Sequence, residues 1–128
     1  MEEFTKLKII ENKKGNILHV LKKTELSYKG FGEAYISKIL YGQTKGWKKH
    51  LKMHMNLIVI HGQVEFRFRE NKDSFVRSYK LGNDNYGRLY VPPGLWMSFT
   101  GLKGGENIIL NISDIEHDNE ETLSEDLE

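Results

Sequence analysis

The stretch from Lys45 to Phe68 constrains the fold more than any other part of the chain. From His50 to Ile60, one set of alternate positions is Leu51, Met53, Met55, Leu57 and Val59, all apolar, and the other is His50, Lys52, His54, Asn56, Ile58 and Ile60. A period of two is the signature of a strand with one buried face. The second face changes from polar to aliphatic along its length, which suits a strand crossing a barrel wall with its polar end at the mouth. After Gly62 the alternation is cleaner, with Val64, Phe66 and Phe68 set against Glu65, Arg67 and Arg69. A slip of one residue would exchange the aromatic and charged faces, so the register of this second strand is fixed. The polar mouth is where chemistry is expected.

Turn residues punctuate the remainder. Asn12–Asn16, Tyr28–Gly32, Gly42–Gly46, Gly82–Gly87 and Pro92-Pro93-Gly94 separate short β-rich runs at Ile17–Leu21, Glu33–Tyr41, Phe75–Leu81 and Arg88–Val91. Trp96–Leu102 and Asn107–Ile112 are expected to pair across Lys103-Gly104-Gly105. Short strands at this spacing with almost no helical periodicity predict an all-β sandwich or closed barrel. At 128 residues the chain is long enough for one domain with a real core, and no apolar run approaches the ~20 residues of a membrane-spanning helix. From about residue 119 the chain is acidic and aperiodic, so a frayed tail, or one exposed helical turn, dispensable for folding, is expected over Thr122–Glu128.

Charge narrows the partners. Residues 1–55 carry twelve Lys and five acids, and residues 106–128 carry nine acids and no Lys or Arg. A basic first half attracts phosphate, but an acidic end on so small a domain argues against nucleic acid and for a small anionic ligand. The absence of cysteine and of a signal-peptide pattern makes the cytoplasm the expected compartment.

Ordered blocks of sequence add a reaction. Lys14-Gly-Asn-Ile-Leu-His19, Phe31-Gly-Glu-Ala-Tyr-Ile-Ser37, Gly46-Trp-Lys-Lys-His50, Gly62-Gln-Val-Glu-Phe66, Val91-Pro-Pro-Gly-Leu-Trp-Met-Ser-Phe99 and Asn111-Ile-Ser-Asp-Ile-Glu-His-Asp118 together resemble the dTDP-4-dehydrorhamnose 3,5-epimerase family of the cupin superfamily. The resemblance implies a single-domain cupin jelly roll. It also implies a homodimer and a nucleotide-linked 4-keto-6-deoxy sugar as substrate, in surface polysaccharide biosynthesis. His50 falls at the position of the family's base, which removes the proton beside the ketone. Imidazole suits that task because its ordinary pKa, near 6.5, leaves it largely neutral at pH 7.

Other roles follow from the same resemblance. Lys48, Lys49 and Lys52 are candidates to supply charge to the enolate oxygen or the pyrophosphate, with Lys52 taken as the catalytic one, and Lys14, Lys48, Lys49, His54 and Trp96 are candidates for binding substrate, by charge or by ring stacking. The family's acid Tyr aligns with Leu110, so Tyr35 and Tyr41, on one parity of a neighbouring strand, are the candidate replacements, of which Tyr35 is taken as the catalytic candidate. The family's Arg-Gly appears as Lys14-Gly15, and its His after the Pro-x-Gly turn appears as Met97. Epimerisation is the expected activity; the alternatives are 3,4-ketoisomerisation and simple sugar or nucleotide binding. Many cupins hold a metal with His-x-His, a following Glu and a later His. Here His50 and His54 are four apart with Met97 at the later position, so neither metal nor cofactor is expected.

Overall fold

The computed structural model describes residues 1–126. In chain order the strands are β1 (Glu3–Lys6), β2 (Ile9–Ile10), β3 (Ile17–Leu18), β4 (Glu33–Leu40), β5 (Thr44–His50), β6 (Met55–His61), β7 (Gln63–Arg69), β8 (Arg77–Gly82), β9 (Gly87–Val91), β10 (Trp96–Gly101), β11 (Glu106–Ser113) and β12 (Thr122–Ser124). A single 3-10 turn, Asn119–Glu121, precedes β12. No helix among the described residues is long and apolar enough to cross a membrane.

Two five-stranded sheets face each other, with strand orders β1-β9-β6-β11-β4 and β12-β5-β10-β7-β8; β2 and β3 form a separate hairpin. The core lies between them. Val64, Phe66 and Phe68 are fully buried, as their alternation requires, and Met55, Leu57 and Val59 from the other sheet join them in the core, with Met53 from the connection between β5 and β6. Phe66 packs against Phe99 with ring centroids 5.7 Å apart, and Phe68 meets Tyr79 edge-on at 5.9 Å. This is a jelly roll, the expected all-β class.

Three local expectations are corrected. His50 and Ile60 do not share one strand: β5 ends at His50 in one sheet and β6 begins at Met55 in the other. The crossing residues forgo a strand partner because the Glu121 carboxylate accepts the amide hydrogens of Leu51, Lys52 and Met53 at 3.1, 3.1 and 3.3 Å. Leu51, freed from the strand, is exposed.

Trp96–Leu102 and Asn107–Ile112 do not pair with each other. β10 lies between β5 and β7, while β11 lies between β4 and β6. Both segments carry an inward apolar face, so they meet face to face across the core rather than edge to edge. The connection between them is pinned by the buried Asn107 side chain, which accepts from the Gln63 amide at 2.9 Å and donates to the Ile39 and Lys103 carbonyls at 3.1 Å each.

The acidic end is not a frayed tail as far as it is described. β12 pairs with β5, setting Thr122 opposite His50, and Glu121 is buried. Over Thr122–Ser124 a strand paired with β5 thus stands in place of the expected fray. Leu127 and Glu128, the last residues of the expected tail, lie outside the described residues.

Candidate active site

A cavity of about 240 Å³ opens between the sheets. Its polar lining comes from Tyr35 and Ser37 on β4, Lys45, Lys48 and His50 on β5, and Asn111 on β11; Met55, Leu57, Phe66, Met97, Phe99 and Ile109 make the apolar remainder. Alternation along β5 turns Lys48 and His50 to the same side, and Gly46 lets the strand bulge against β10. Gly46 has φ +117°, and a Cβ there would lie 2.6 Å from the Met97 carbonyl oxygen. No other residue type fits at this close approach.

His50 is buried, and its Nδ1 is 2.5 Å from Glu121 Oε1. Burial pushes the Glu121 carboxyl up, but the hydrogen bonds from His50 and from the Lys52 and Met53 amides, with the attraction of the imidazole, outweigh it and hold the group below the ordinary carboxylate range. An ionised carboxylate accepts only, so Nδ1 carries the hydrogen and Nε2 is left with its lone pair. The arrangement is that of an oriented base. When such an imidazole takes a proton, the carboxylate behind it stabilises the cation that forms.

Tyr35 stands directly opposite Asn111 across β4 and β11, and its hydroxyl accepts from Asn111 Nδ2 at 2.7 Å. Burial raises the phenol's pKa; the Asn111 hydrogen bond opposes this, and the Glu33 and Glu121 charges add to it. The group is a neutral donor at pH 7. Leu110, the position aligned with the family's acid, lies on the opposite face of β11 from the buried Ile109 and Asn111. The inward positions of that strand therefore carry no ionisable group.

Of the residues singled out by sequence, Tyr35, Lys48 and His50 line one cavity. Lys49 is on the other face of β5, with its ammonium 5.4 Å from the ring of Trp96, and Trp96 is itself buried. Lys52 is exposed within the crossing and meets Glu121 through its backbone amide. His54 bonds Tyr90 through Nδ1 at 2.7 Å and stacks on its ring. Lys14 is exposed in the turn between β2 and β3. Lys14, Lys49, Lys52, His54 and Trp96 are not part of the cavity lining. Among the described residues no three His, Cys, Asp or Glu side chains converge in a way that could hold a metal ion.

Among the polar groups of this site, Ser37, Lys45, Asn111 and Glu121 were not singled out in the sequence, and the last two matter most. Glu121 lies in an acidic run without periodicity, and only Thr122-Leu123-Ser124 hints at the strand that delivers it. Asn111 stands among aliphatics in Ile109-Leu110-Asn111-Ile112, where a polar side chain on the inward parity was a usable signal.

A search of curated protein sequences finds no match. Among solved structures, the chain is similar to a dTDP sugar isomerase from Desulfovibrio desulfuricans G20, at 26% identity and a TM-score of 0.91, covering 98% of this chain and 83% of that one. It is also similar to a sugar 3,4-ketoisomerase from Thermoanaerobacterium thermosaccharolyticum solved with TDP, at 21% identity, a TM-score of 0.80, and 95% and 86% coverage. A dTDP-4-dehydrorhamnose 3,5-epimerase from Elizabethkingia anophelis NUHP1 matches at 19% identity and a TM-score of 0.79, covering 96% of this chain and 74% of that one. The last two likenesses show the fold alone, that of the cupins related to the 3,5-epimerases. The model of one family, described as FdtA: WxcM-like, C-terminal, matches residues 1–126, and the chain belongs to that family.

Proposed function

We propose that the protein is an isomerase of a dTDP-linked 4-keto-6-deoxy sugar and that His50 removes the proton from the carbon beside the ketone. The observation that carries this is the buried His50 on the wall of a cavity of sugar size, with the Glu121 carboxylate hydrogen-bonded behind it. Lys45 and Lys48 supply positive charge on the same strand, suited to a diphosphate, and the apolar lining suits a 6-deoxy carbon.

Ketoisomerisation between C3 and C4 is the favoured reaction. His50 takes the C3 proton as the C3–H electron pair becomes a C3=C4 bond and the ketone oxygen O4 gains charge. Tyr35 gives its proton to O4. The imidazolium returns its proton to C4, O3–H gives its proton to the Tyr35 phenolate, and C3 becomes the ketone. One imidazole and one phenol suffice, and no second acid is required. What supports this over double epimerisation is that β11 contributes only Ile109 and Asn111 to the cavity lining, neither of which is ionisable. A single epimerisation is the second reading, supported by Tyr35 and His50 lying on facing sheets.

Incubation with dTDP-4-keto-6-deoxyglucose, followed by NMR of the products, decides between them. A 3-keto sugar is expected. An inverted centre with the ketone still at C4 supports epimerisation, and an unchanged substrate removes both reactions.

The partner proposed is a second copy of the chain. Ile9, Ile10, Ile17 and Leu18 in the hairpin, and Ile36 and Ile60 on one sheet, are exposed apolar surface that a homodimer would cover. A clean monomer in sedimentation at micromolar concentration would contradict it.

A further inference from the structure

The polarity of the Tyr35 hydrogen bond is set by groups behind it. Asn111 is buried and its amide nitrogen lies 2.7 Å from the Tyr35 hydroxyl oxygen and 3.2 Å from Met55 Sδ. A thioether sulfur has no hydrogen and can only accept. With Met55 on one side, the amide must present its NH₂ end to both neighbours, and both hydrogens are then used. Its oxygen, Oδ1, is buried without a partner, so it neither competes for the phenol nor offers it an alternative acceptor. The phenol oxygen therefore accepts from Asn111 and keeps its own hydrogen for another group. Among the described residues Tyr35 donates to nothing in the protein, and its side chain lines the cavity.

We propose that Asn111 is a positioning residue that commits the Tyr35 hydroxyl to donate its proton to a sugar oxygen in the cavity. This rests on the isomerase proposed above. The strand register builds the device without loops: Asn111 faces Tyr35 directly on β4, and Met55 comes from β6 on the other side of β11. In the step from ketone to enolate, Tyr35 transfers its hydrogen to the ketone oxygen and becomes a phenolate, and the Asn111 N–H remains bonded to that phenolate and stabilises it. When the neighbouring hydroxyl returns a proton to the phenolate, the same N–H keeps that proton on the substrate side. Donors fixed before charge develops need no reorganisation during the reaction.

The test replaces Asn111 with Asp, which keeps the shape but removes both N–H donors, and separately with Ala. The first readout needs no substrate: tyrosine ionisation followed by ultraviolet absorbance, each protein being compared with its Tyr35→Phe counterpart so that the Tyr35 transition is isolated. Losing the donor should move that transition to higher pH in Asn111→Ala, and the added carboxylate should move it further in Asn111→Asp. An unmoved transition in both overturns the proposal.

The second readout is turnover of dTDP-4-keto-6-deoxyglucose. Asn111→Asp should lower kcat roughly 10- to 100-fold with little change in KM, and should lower it no further in a Tyr35→Phe background, because the two groups act as one unit. Equal losses in the presence and absence of the Tyr35 hydroxyl would mean that Asn111 acts only on packing, and would overturn the proposal. If the unsubstituted protein turns over no 4-keto nucleotide sugar, the isomerase assignment fails, and the ionisation readout alone decides whether Asn111 sets the Tyr35 proton.

Discussion

His50 and His54 are four residues apart and share a parity in the sequence, yet the fold treats them as opposites. His50 closes β5, is buried, and gives its Nδ1 hydrogen to a carboxylate. His54 precedes β6, is half-buried, and pairs with the Tyr90 phenol, which burial and then the nearby Asp114 charge keep protonated. A base gaining a proton needs compensating charge behind it, and only the His50 imidazole has a carboxylate in direct hydrogen-bond contact; the Asp114 carboxylate meets His54 through its backbone amide. The break at residues 51–54 separates the two, and the Glu121 carboxylate that creates His50's surroundings also holds the break together. One acidic side chain from the C-terminal segment thus does both tasks.

The contrast can be broken by substitution. His50→Ala should reduce turnover on the order of 100- to 10,000-fold, as expected for a general base. It should also leave the Glu121 carboxylate short of a partner, at a cost of about 1–3 kcal/mol in denaturant unfolding. Termination after Asp118 should lower turnover comparably and also destabilise the protein, because it removes β12 and the acceptor for three amides. A truncated protein with unchanged melting and turnover would show that the segment does not hold the crossing.

Glu121→Gln keeps an acceptor for the amides while removing the charge, so it separates the two tasks. Turnover should fall about 100-fold, and stability should change less than in the truncated chain. Equal stability losses in the two would place the segment's value in the charge alone.

Acid provides a milder perturbation. The folded-state pKa of Glu121 is depressed, and so is that of Glu2, where burial is outweighed by Arg77 and Tyr79. Carboxyls of this kind contribute stability that is fully present above the ordinary carboxylate value and is lost as pH falls through the lower folded value. Unfolding free energy should therefore be level at neutral pH and decline below the ordinary carboxylate range, with a shallower decline in Glu2→Gln. A decline that begins at neutral pH would contradict the assignment. The smallest effect is expected for His54→Ala, with turnover changed by no more than about twofold, since its imidazole faces Tyr90 and not the cavity.

Much of this was legible in the chain because period-two alternation leaves little freedom. Val64, Phe66 and Phe68 could face only inward, short strands and glycine turns point to an all-β sandwich or barrel, and the family resemblance narrows that to a jelly roll. Partner strands were less legible. Trp96–Leu102 and Asn107–Ile112 look like a hairpin from spacing, and nothing local says that a short connection carries the chain from one sheet to the other. The two lysines beside His50 differ for the same reason: Lys48 and Lys49 are chemically identical, and a shift of one residue sends one to the cavity and the other to the ring of Trp96. Glu121 was least legible, because a single buried carboxylate among exposed ones leaves no periodic trace; it is recognised only by its contacts, 71 positions away from His50.

The central claim is that His50, supported by Glu121, abstracts a proton next to a ketone. Deuterium incorporation measures that step alone. Protein mixed with dTDP-4-keto-6-deoxyglucose in D2O should place deuterium on the carbon beside the ketone even where later steps are slow, and His50→Ala should reduce the rate to near that of buffer while His54→Ala changes it by no more than about twofold. Incorporation that survives His50→Ala, or its absence with the unsubstituted protein in the presence of bound substrate, would contradict the account.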